Sequence, residues 1–422
     1  MAERRKVIQV LHHSLSKFRI GSPDYVREEG WHIRLAREIR KRSGEYDLEC
    51  WRPEVTVREV QDYRVDDIPC RLFPSFVLPA QPGREWSGSL LRAVKAERAH
   101  GPLLVHLHGI FNPITYAVAF SLPRTPKLAQ DHGALSVTQG LTEGLRRWDL
   151  RSAAGYAALT LLEAIPERRA LRRIDQFFAL NRVSRAYLAH IVGEDRVKIQ
   201  TMGLDLDRFR PGDKKEARRQ LDLDLGRRYV LFVGNLVRKK GVDYLLRAFL
   251  SVLQAFPDST LLLVGDGKER RKLEALSQQL GIARNVKFIG WVDHGSPRFP
   301  LFYHAADVLV VSSWQEGFGL TAAEGLASGV PFVGTEVPAT PDIVDAFGAG
   351  WVVPCHNSEA MGGAIVEALR SGASATIKRE TGERRYSWDS IVGNTLKVYD
   401  SLFQKYYNTW QSRFLVSRVN RH

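Results

Sequence analysis

From Arg228 onward the chain alternates short apolar runs with longer stretches whose apolar residues recur at helical spacing. The runs cover residues 229–233, 261–264, 286–289, 308–311, 331–333 and 351–353, and residues 268–280 are a representative amphipathic stretch between two of them. That alternation predicts a parallel sheet wrapped by helices. Four of the runs close on a glycine, at Gly234, Gly265, Gly290 and Gly334. In an open α/β sheet the ligand crevice lies beyond the carboxyl ends of the strands, where glycine lets the backbone approach a ligand closely.

The first half carries the same pattern less regularly. Strands are predicted over 6–11, 103–107, 127–129, 134–137 and 174–180, and a helix over 31–42. The pattern breaks in MGLDLDRFRPGDKK, where Gly203, Pro211 and Gly212 precede a charged helix. At 422 residues the chain exceeds the roughly 300 residues at which a single core stops growing, so two α/β domains are expected. The expected limits are 1–210, 211–387, and a closing helical segment with a basic tail over 388–422.

Composition changes this picture in two ways. The net charge is +14, and residues 1–210 hold 34 Lys and Arg against 25 Asp and Glu. Such a balance favours an anionic partner: a phospholipid surface, a nucleic acid or a phosphorylated substrate. The only cysteines are Cys50, Cys70 and Cys355, an odd number without metal-type spacing. They argue for a reducing compartment and against a disulfide framework or a zinc site. The opening MAERRKVIQVLHHS has no apolar stretch of signal-peptide length, and no run reaches membrane-span length, so a cytoplasmic protein is expected.

The candidate chemistry begins at SSWQEGFGLTAAEGLASGVP, residues 312–331, where two glutamates flank a glycine loop after a strand. Thr321 and Glu324 fit a capping box at the start of a helix. The Gly317-Phe318-Gly319 loop would aim further N–H groups at the same point, and a helix N-terminus attracts anions. Glu316 at the mouth of such a site suits a ligand that also offers hydroxyl donors. A second segment, VLFVGNLVRKKGVDYLLRAF, runs from strand through glycine turn and basic cluster into a helix. It places Gly234, Asn235, Arg238, Lys239 and Lys240 near a strand's carboxyl end, as a diphosphate clamp or a solvated basic loop. Neither GxxxxGK[ST] nor a GxGxxG after the first strand is present.

Together these residues resemble the family 4 glycosyltransferases, retaining enzymes of the GT-B fold. The resemblance rests on FVGNLVRKKGVDYLLRAF, LLLVGDG, NVKFIGWV, AADVLVVSSWQEGFGLTAAEGLASGVPFVGTEVPATPDIV and YSWDSIVGNTLKVYDSLF, and covers nearly all of 228–405. It implies two Rossmann-like domains facing across a cleft, with the closing helix crossing back to the first. It implies a metal-independent hexosyltransferase-type enzyme that moves sugar from a UDP- or GDP-sugar, with no cofactor beyond that donor. Glu324 then falls where the family holds the ribose hydroxyls and Glu316 where it contacts the transferred sugar. Gly317, Phe318, Gly319 and Leu320 bind the sugar and phosphate end through N–H groups, Lys240 neutralises the diphosphate, and Ile289 lies against the base.

The family often has Arg where this chain has Asn235, which leaves Arg238 or Lys239 to supply the missing charge. In the first domain VHLHGIFNP brings His108 toward the reacting sugar and LAQDHGALS brings His132 to face the cleft. The family's first-loop glycine pair is absent, with only Gly21-Ser22 near the acceptor side.

Two other readings differ in class. A nucleotide-sugar epimerase or hydrolase of the same fold would release diphosphate without an acceptor. A basic nucleic-acid-binding protein gains from the net charge but lacks a recognition motif. The expected acceptor is a glycan or a lipid-linked molecule. The segment over 148–178 reads either as an amphipathic stretch on an anionic membrane surface or as a core helix with a charged face.

Overall fold

The computed structural model of the protein describes residues 5–13, 31–78, 84–133, 165–371 and 377–419, with side chains as far as residue 406. The chain forms two compact units, Met1–Gln200 together with Ile391–His422, and Thr201–Ser390.

In the first unit the strands are β1 (Arg5–Leu11), β2 (Tyr46–Glu54), β3 (Gln61–Val65), β4 (Ile68–Pro74), β5 (Phe76–Val77), β6 (Glu85–Trp86), β7 (Leu103–His108), β8 (Lys127–Gln130), β9 (Gln176–Ala179) and β10 (Val197–Ile199). Eight of them make one sheet in the order β10-β9-β8-β7-β1-β2-β4-β3, and β5 and β6 pair separately. Every pairing in the large sheet is parallel except β3 with β4. Helix Trp31–Arg42 has the predicted bounds. The predicted strand over 134–137 lies outside the described residues. Ile8, Val10, Val105, Leu107, Ala129 and Phe177 belong to one buried cluster, each large side chain contributing on the order of 1.5–3 kcal/mol of burial free energy.

The closing helix Trp388–Val419 begins in the second unit and is part of the first from Ile391. There it is held by polar contacts at specific points. Thr395 Oγ1 accepts from Gln200 Nε2 at 3.0 Å, Asp400 Oδ1 accepts from the Tyr46 hydroxyl at 2.6 Å, and the Tyr399 hydroxyl lies 2.8 Å from His106 Nδ1.

The second unit contains β11 (Tyr229–Val233), β12 (Thr260–Val264), β13 (Val286–Gly290), β14 (Val308–Val311), β15 (Phe332–Thr335) and β16 (Trp351–Val353). They form an all-parallel sheet in the order β13-β12-β11-β14-β15-β16. Helices Val242–Ala255 and Ser358–Ser371 contribute Leu245, Phe249, Met361 and Ile365 to the cluster that covers it. Strands β12 and β14 are buried throughout and β11 in all but its last residue, as expected of a sheet covered on both faces.

Strand order also locates the crevices. In the first sheet the chain builds to one side through β2 and to the other through β7, so the order reverses between β1 and β7. In the second it reverses between β11 and β14. Ligands of open α/β sheets bind at such reversals, beyond the strands' carboxyl ends.

Candidate functional site

In the second unit the two loops picked out from the sequence leave the two strands that flank the reversal. The loop after β11 ends in a 3-10 turn, Arg238–Lys240, and the loop after β14 runs from Ser312 to helix Leu320–Ala327. Backbone contacts tie them together. The Ser312 hydroxyl donates to Lys240 O at 2.7 Å, and Trp314 N donates to Lys239 O at 3.0 Å. That register brings Lys240 Nζ within 2.5 and 2.9 Å of the two Glu316 oxygens. Both side chains are largely covered, 18% and 14% exposed, so the pair is less screened than a surface ion pair. Arg238, Lys239 and Asn235 are exposed beside it.

Gly234 and Gly265 explain why the strands end as they do. Gly265 has φ 130°, and a Cβ there would sit 2.1 Å from Gly234 O. Strand β12 can therefore pass this close to β11 only with glycine at 265. Gly265→Ala is expected to lower the melting temperature measurably, since a strained backbone costs about 1–3 kcal/mol before the steric clash is counted. An unchanged melting temperature would show that the two strand ends have room for a methyl group.

Helix Leu320–Ala327 departs from the expected capping box. Gly319, with φ 75°, is its N-cap and makes no side-chain cap bond. The left-handed turn at Gly319 starts the helix before Thr321, so Glu324 lies too far along to reach back to the first turn. Among the described residues no side chain caps this end: the Ala322 and Ala323 N–H groups turn back to Gly319 O, and the positive end of the helix faces the Gly317-Phe318-Gly319 loop.

Glu324 is instead 2% exposed, and its carboxylate accepts from the Tyr303 hydroxyl at 2.6 Å and lies 2.7 Å from His294 Nε2. Burial, reinforced by the Glu324 carboxylate, pushes the Tyr303 phenol well above its ordinary pKa. Tyr303 therefore stays a donor, holding one carboxylate oxygen in place. Two donors leave lone pairs over on a carboxylate. Neither Tyr303 nor His294 was picked out from the sequence: Tyr303 sits in helix Phe299–Ala305, where an aromatic reads as core. Ile289, near the end of β13, is half-buried, and the chain turns there at Gly290 with φ 86°.

In the first unit the reversal is lined by histidines. His12, just after β1, has Nδ1 2.6 Å from His108 O at the end of β7. His108 itself is wholly buried, with Nε2 2.9 Å from Gln9 Oε1 and Nδ1 3.1 Å from His132 Nε2. Both of its ring nitrogens are engaged by the protein. His132 is half-buried, flanked by Trp31 with ring centroids 5.7 Å apart, and its Nδ1 makes no hydrogen bond among the described residues.

Burial, then the neighbouring histidines, hold His108 well below the usual histidine range; burial, then His12, pushes His132 down to about 3. Both rings are neutral near pH 7. Of the two candidates, His132 rather than His108 has a nitrogen to offer. Gly21 lies outside the described residues, as does most of the 148–178 segment. The described part of that segment is helical over 165–171, with Glu167, Ala170 and Leu171 buried and charged residues exposed between them, and then enters β9, where Phe177 and Phe178 are buried. No described helix is long and apolar enough to cross a membrane.

Comparison with known proteins defines the class. The fold is GT-B: the chain superposes on sucrose-phosphate synthase from Thermosynechococcus elongatus with a TM-score of 0.70 at 23% identity, covering 95% of this chain and 100% of that one. On Anabaena Alr3699/HepE in complex with UDP the TM-score is 0.66 at 19% identity, over 94% and 100%. Residues 213–385, most of the second unit, match the family glycosyl transferases group 1. Among curated relatives, D-inositol 3-phosphate glycosyltransferase of Acidothermus cellulolyticus is 35% identical over 237 residues, 53% of this chain and 52% of that protein. The enzyme of the same name from Corynebacterium urealyticum is 32% identical over 224 residues, 49% of this chain and 51% of that one. The chain spans about half the length of these curated relatives.

Proposed function

We propose that the protein is a retaining glycosyltransferase of the family 4 type, moving a sugar from a nucleotide-sugar donor to a hydroxyl of a glycan or lipid-linked acceptor. The observation that carries this reading is the joining of Lys240 and Glu316 at the reversal of the second sheet, beside a helix N-terminus without a side-chain cap. Cleavage of the sugar–phosphate bond builds positive charge on the sugar ring and negative charge on the departing diphosphate. One site must therefore present both signs, and this one does.

A bound donor divides the ion pair. Its diphosphate takes Lys240 and the N–H groups of Gly317 to Leu320, with Arg238 and Lys239 supplying charge where Asn235 cannot. Its sugar hydroxyls donate to Glu316, and its ribose hydroxyls donate to the oxygens of Glu324 that Tyr303 and His294 hold in place. In the first unit, His132 offers Nδ1 as an acceptor to a substrate hydroxyl. The acceptor oxygen attacks the anomeric carbon from the face the diphosphate leaves, the carbon–phosphate-oxygen bond breaks, and the acceptor proton passes to the departing phosphate oxygen. Configuration is retained. Because protein cations meet the leaving charge, turnover is expected to persist in chelator.

The test is nucleoside diphosphate release from a panel of UDP-, GDP- and ADP-sugars, with and without a membrane lipid extract, in EDTA. Acceptor-dependent release from one donor, lost in Glu324→Ala, supports the reading and names the sugar. Release without acceptor would replace it by a donor-hydrolysing enzyme, and an inverted product would overturn the same-face attack.

A further inference from the structure

We propose that Gln9, acting through His108, decides which ring nitrogen of His132 carries its proton, and so whether His132 meets a substrate hydroxyl as an acceptor or as a donor. This deepens the transferase reading and rests on it for the role of His132, but the chain of contacts stands on its own. Gln9 on β1, His108 at the end of β7 and His132 after β8 come from three adjacent strands of one sheet. Their bonds run Gln9 Oε1 to His108 Nε2 at 2.9 Å, then His108 Nδ1 to His132 Nε2 at 3.1 Å. Gln9 and His108 are both fully buried, so no water exchanges into the first link.

With Gln9 Oε1 facing His108, proton bookkeeping leaves one arrangement. A neutral imidazole has one N–H and one lone pair. Gln9 Oε1 can only accept, so the His108 proton is on Nε2 and its Nδ1 is a lone pair. That lone pair needs a donor, which places the His132 proton on Nε2 and leaves Nδ1 as an acceptor. Turning the Gln9 amide around would invert every link and present an N–H instead. Gln9 is thus a positioning residue two hydrogen bonds from His132 and three from a hydroxyl that His132 meets. Among the described residues its own Nε2 has no hydrogen-bond partner, so the His108 contact is the one that its amide makes there.

Exchange of Gln9 tests this without touching His108 or His132. In Gln9→Met the first link has no polar end, and the His132 proton divides between the two nitrogens. In Gln9→Glu a carboxylate faces His108 and favours its doubly protonated form, whose Nδ1–H donates to His132 Nε2 and moves the His132 proton to Nδ1. The readout is the 15N shift pattern of His132 in the full-length protein, which reports tautomer whether or not the enzyme turns over. We expect the Nε2–H form in the wild type, a mixture in Gln9→Met and the Nδ1–H form in Gln9→Glu. In donor turnover we expect kcat to fall about tenfold in Gln9→Met with KM unchanged, the size of effect that one misplaced hydrogen bond produces.

A wild-type His132 protonated on Nδ1, or one that stays on Nε2 in both variants, overturns the relay. If the tautomers shift as expected while His132→Ala leaves transfer intact, the relay stands and the role given to His132 in the reaction fails.

Discussion

Glu316→Ala is expected to abolish most sugar transfer while tightening the binding of free nucleoside diphosphate. Loss of a group that stabilises the charged sugar in the transition state costs on the order of 10²–10³-fold in turnover. The opposite sign for the product follows from the ion pair. Lys240 Nζ is held by both Glu316 oxygens, so a diphosphate binding the wild type must first win the lysine from a carboxylate. Removing Glu316 frees the lysine, and about tenfold tighter binding corresponds to ~1.4 kcal/mol.

Lys240→Ala separates the two effects, because it removes the cation itself and should weaken both diphosphate binding and turnover. Calorimetric titration of UDP, GDP and ADP into the three proteins, beside diphosphate release from the matching sugars, reads both quantities. Equal weakening of product binding in the two variants would mean that Lys240 and Glu316 support each other structurally and do not meet the donor.

The second unit was legible because its chemistry and its packing agree. Strands buried on both faces need uninterrupted apolar runs, and β11, β12 and β14 each contain one; the loops that leave β11 and β14 are the ones with unusual composition. The first unit hid its outer strands. β2 carries Glu49, Arg52 and Glu54 among its apolar residues. β3 is an edge strand without a buried residue, joined to β4 by a tight turn at Asp66, φ 51°.

Within the site, spacing marked Glu324 as charged and near a helix start, but spacing carries no information about which neighbour will claim a carboxylate. Tyr303 and His294 reach it only because helix Phe299–Ala305 and the loop after β13 return to it in space. The histidines show the same limit. A strand-end His108 and a loop His132 look alike in a sequence, and only the covering of His108 by Gln9 and His132 separates the one that is enclosed from the one that is offered.

Those histidines also govern stability in acid, and the first unit should unfold at a higher pH than the second. Burial pushes His106 and His132 down to about 3 and holds His32 and His108 well below the ordinary range. In the unfolded chain each takes a proton below about 6.5. Between those limits the unfolded state binds more protons than the folded one, so stability is complete above about pH 6.5 and is lost as the pH falls toward 3.

Each such histidine removes up to about 1.4 kcal/mol per pH unit, so even two of them consume a few kcal/mol by pH 5, a large part of the roughly 5–15 kcal/mol that holds a domain folded. Hydrogen exchange followed peptide by peptide from pH 7 to pH 5, corrected for intrinsic exchange rate, is the direct check. Protection is expected to fall first over β1, β7 and β8 and to persist over β11, β12 and β14. His106→Gln removes one titrating ring while keeping a polar partner for the Tyr399 hydroxyl, and should flatten the slope. If both units lose protection together, or the second goes first, the histidine cluster is not what limits the protein in acid.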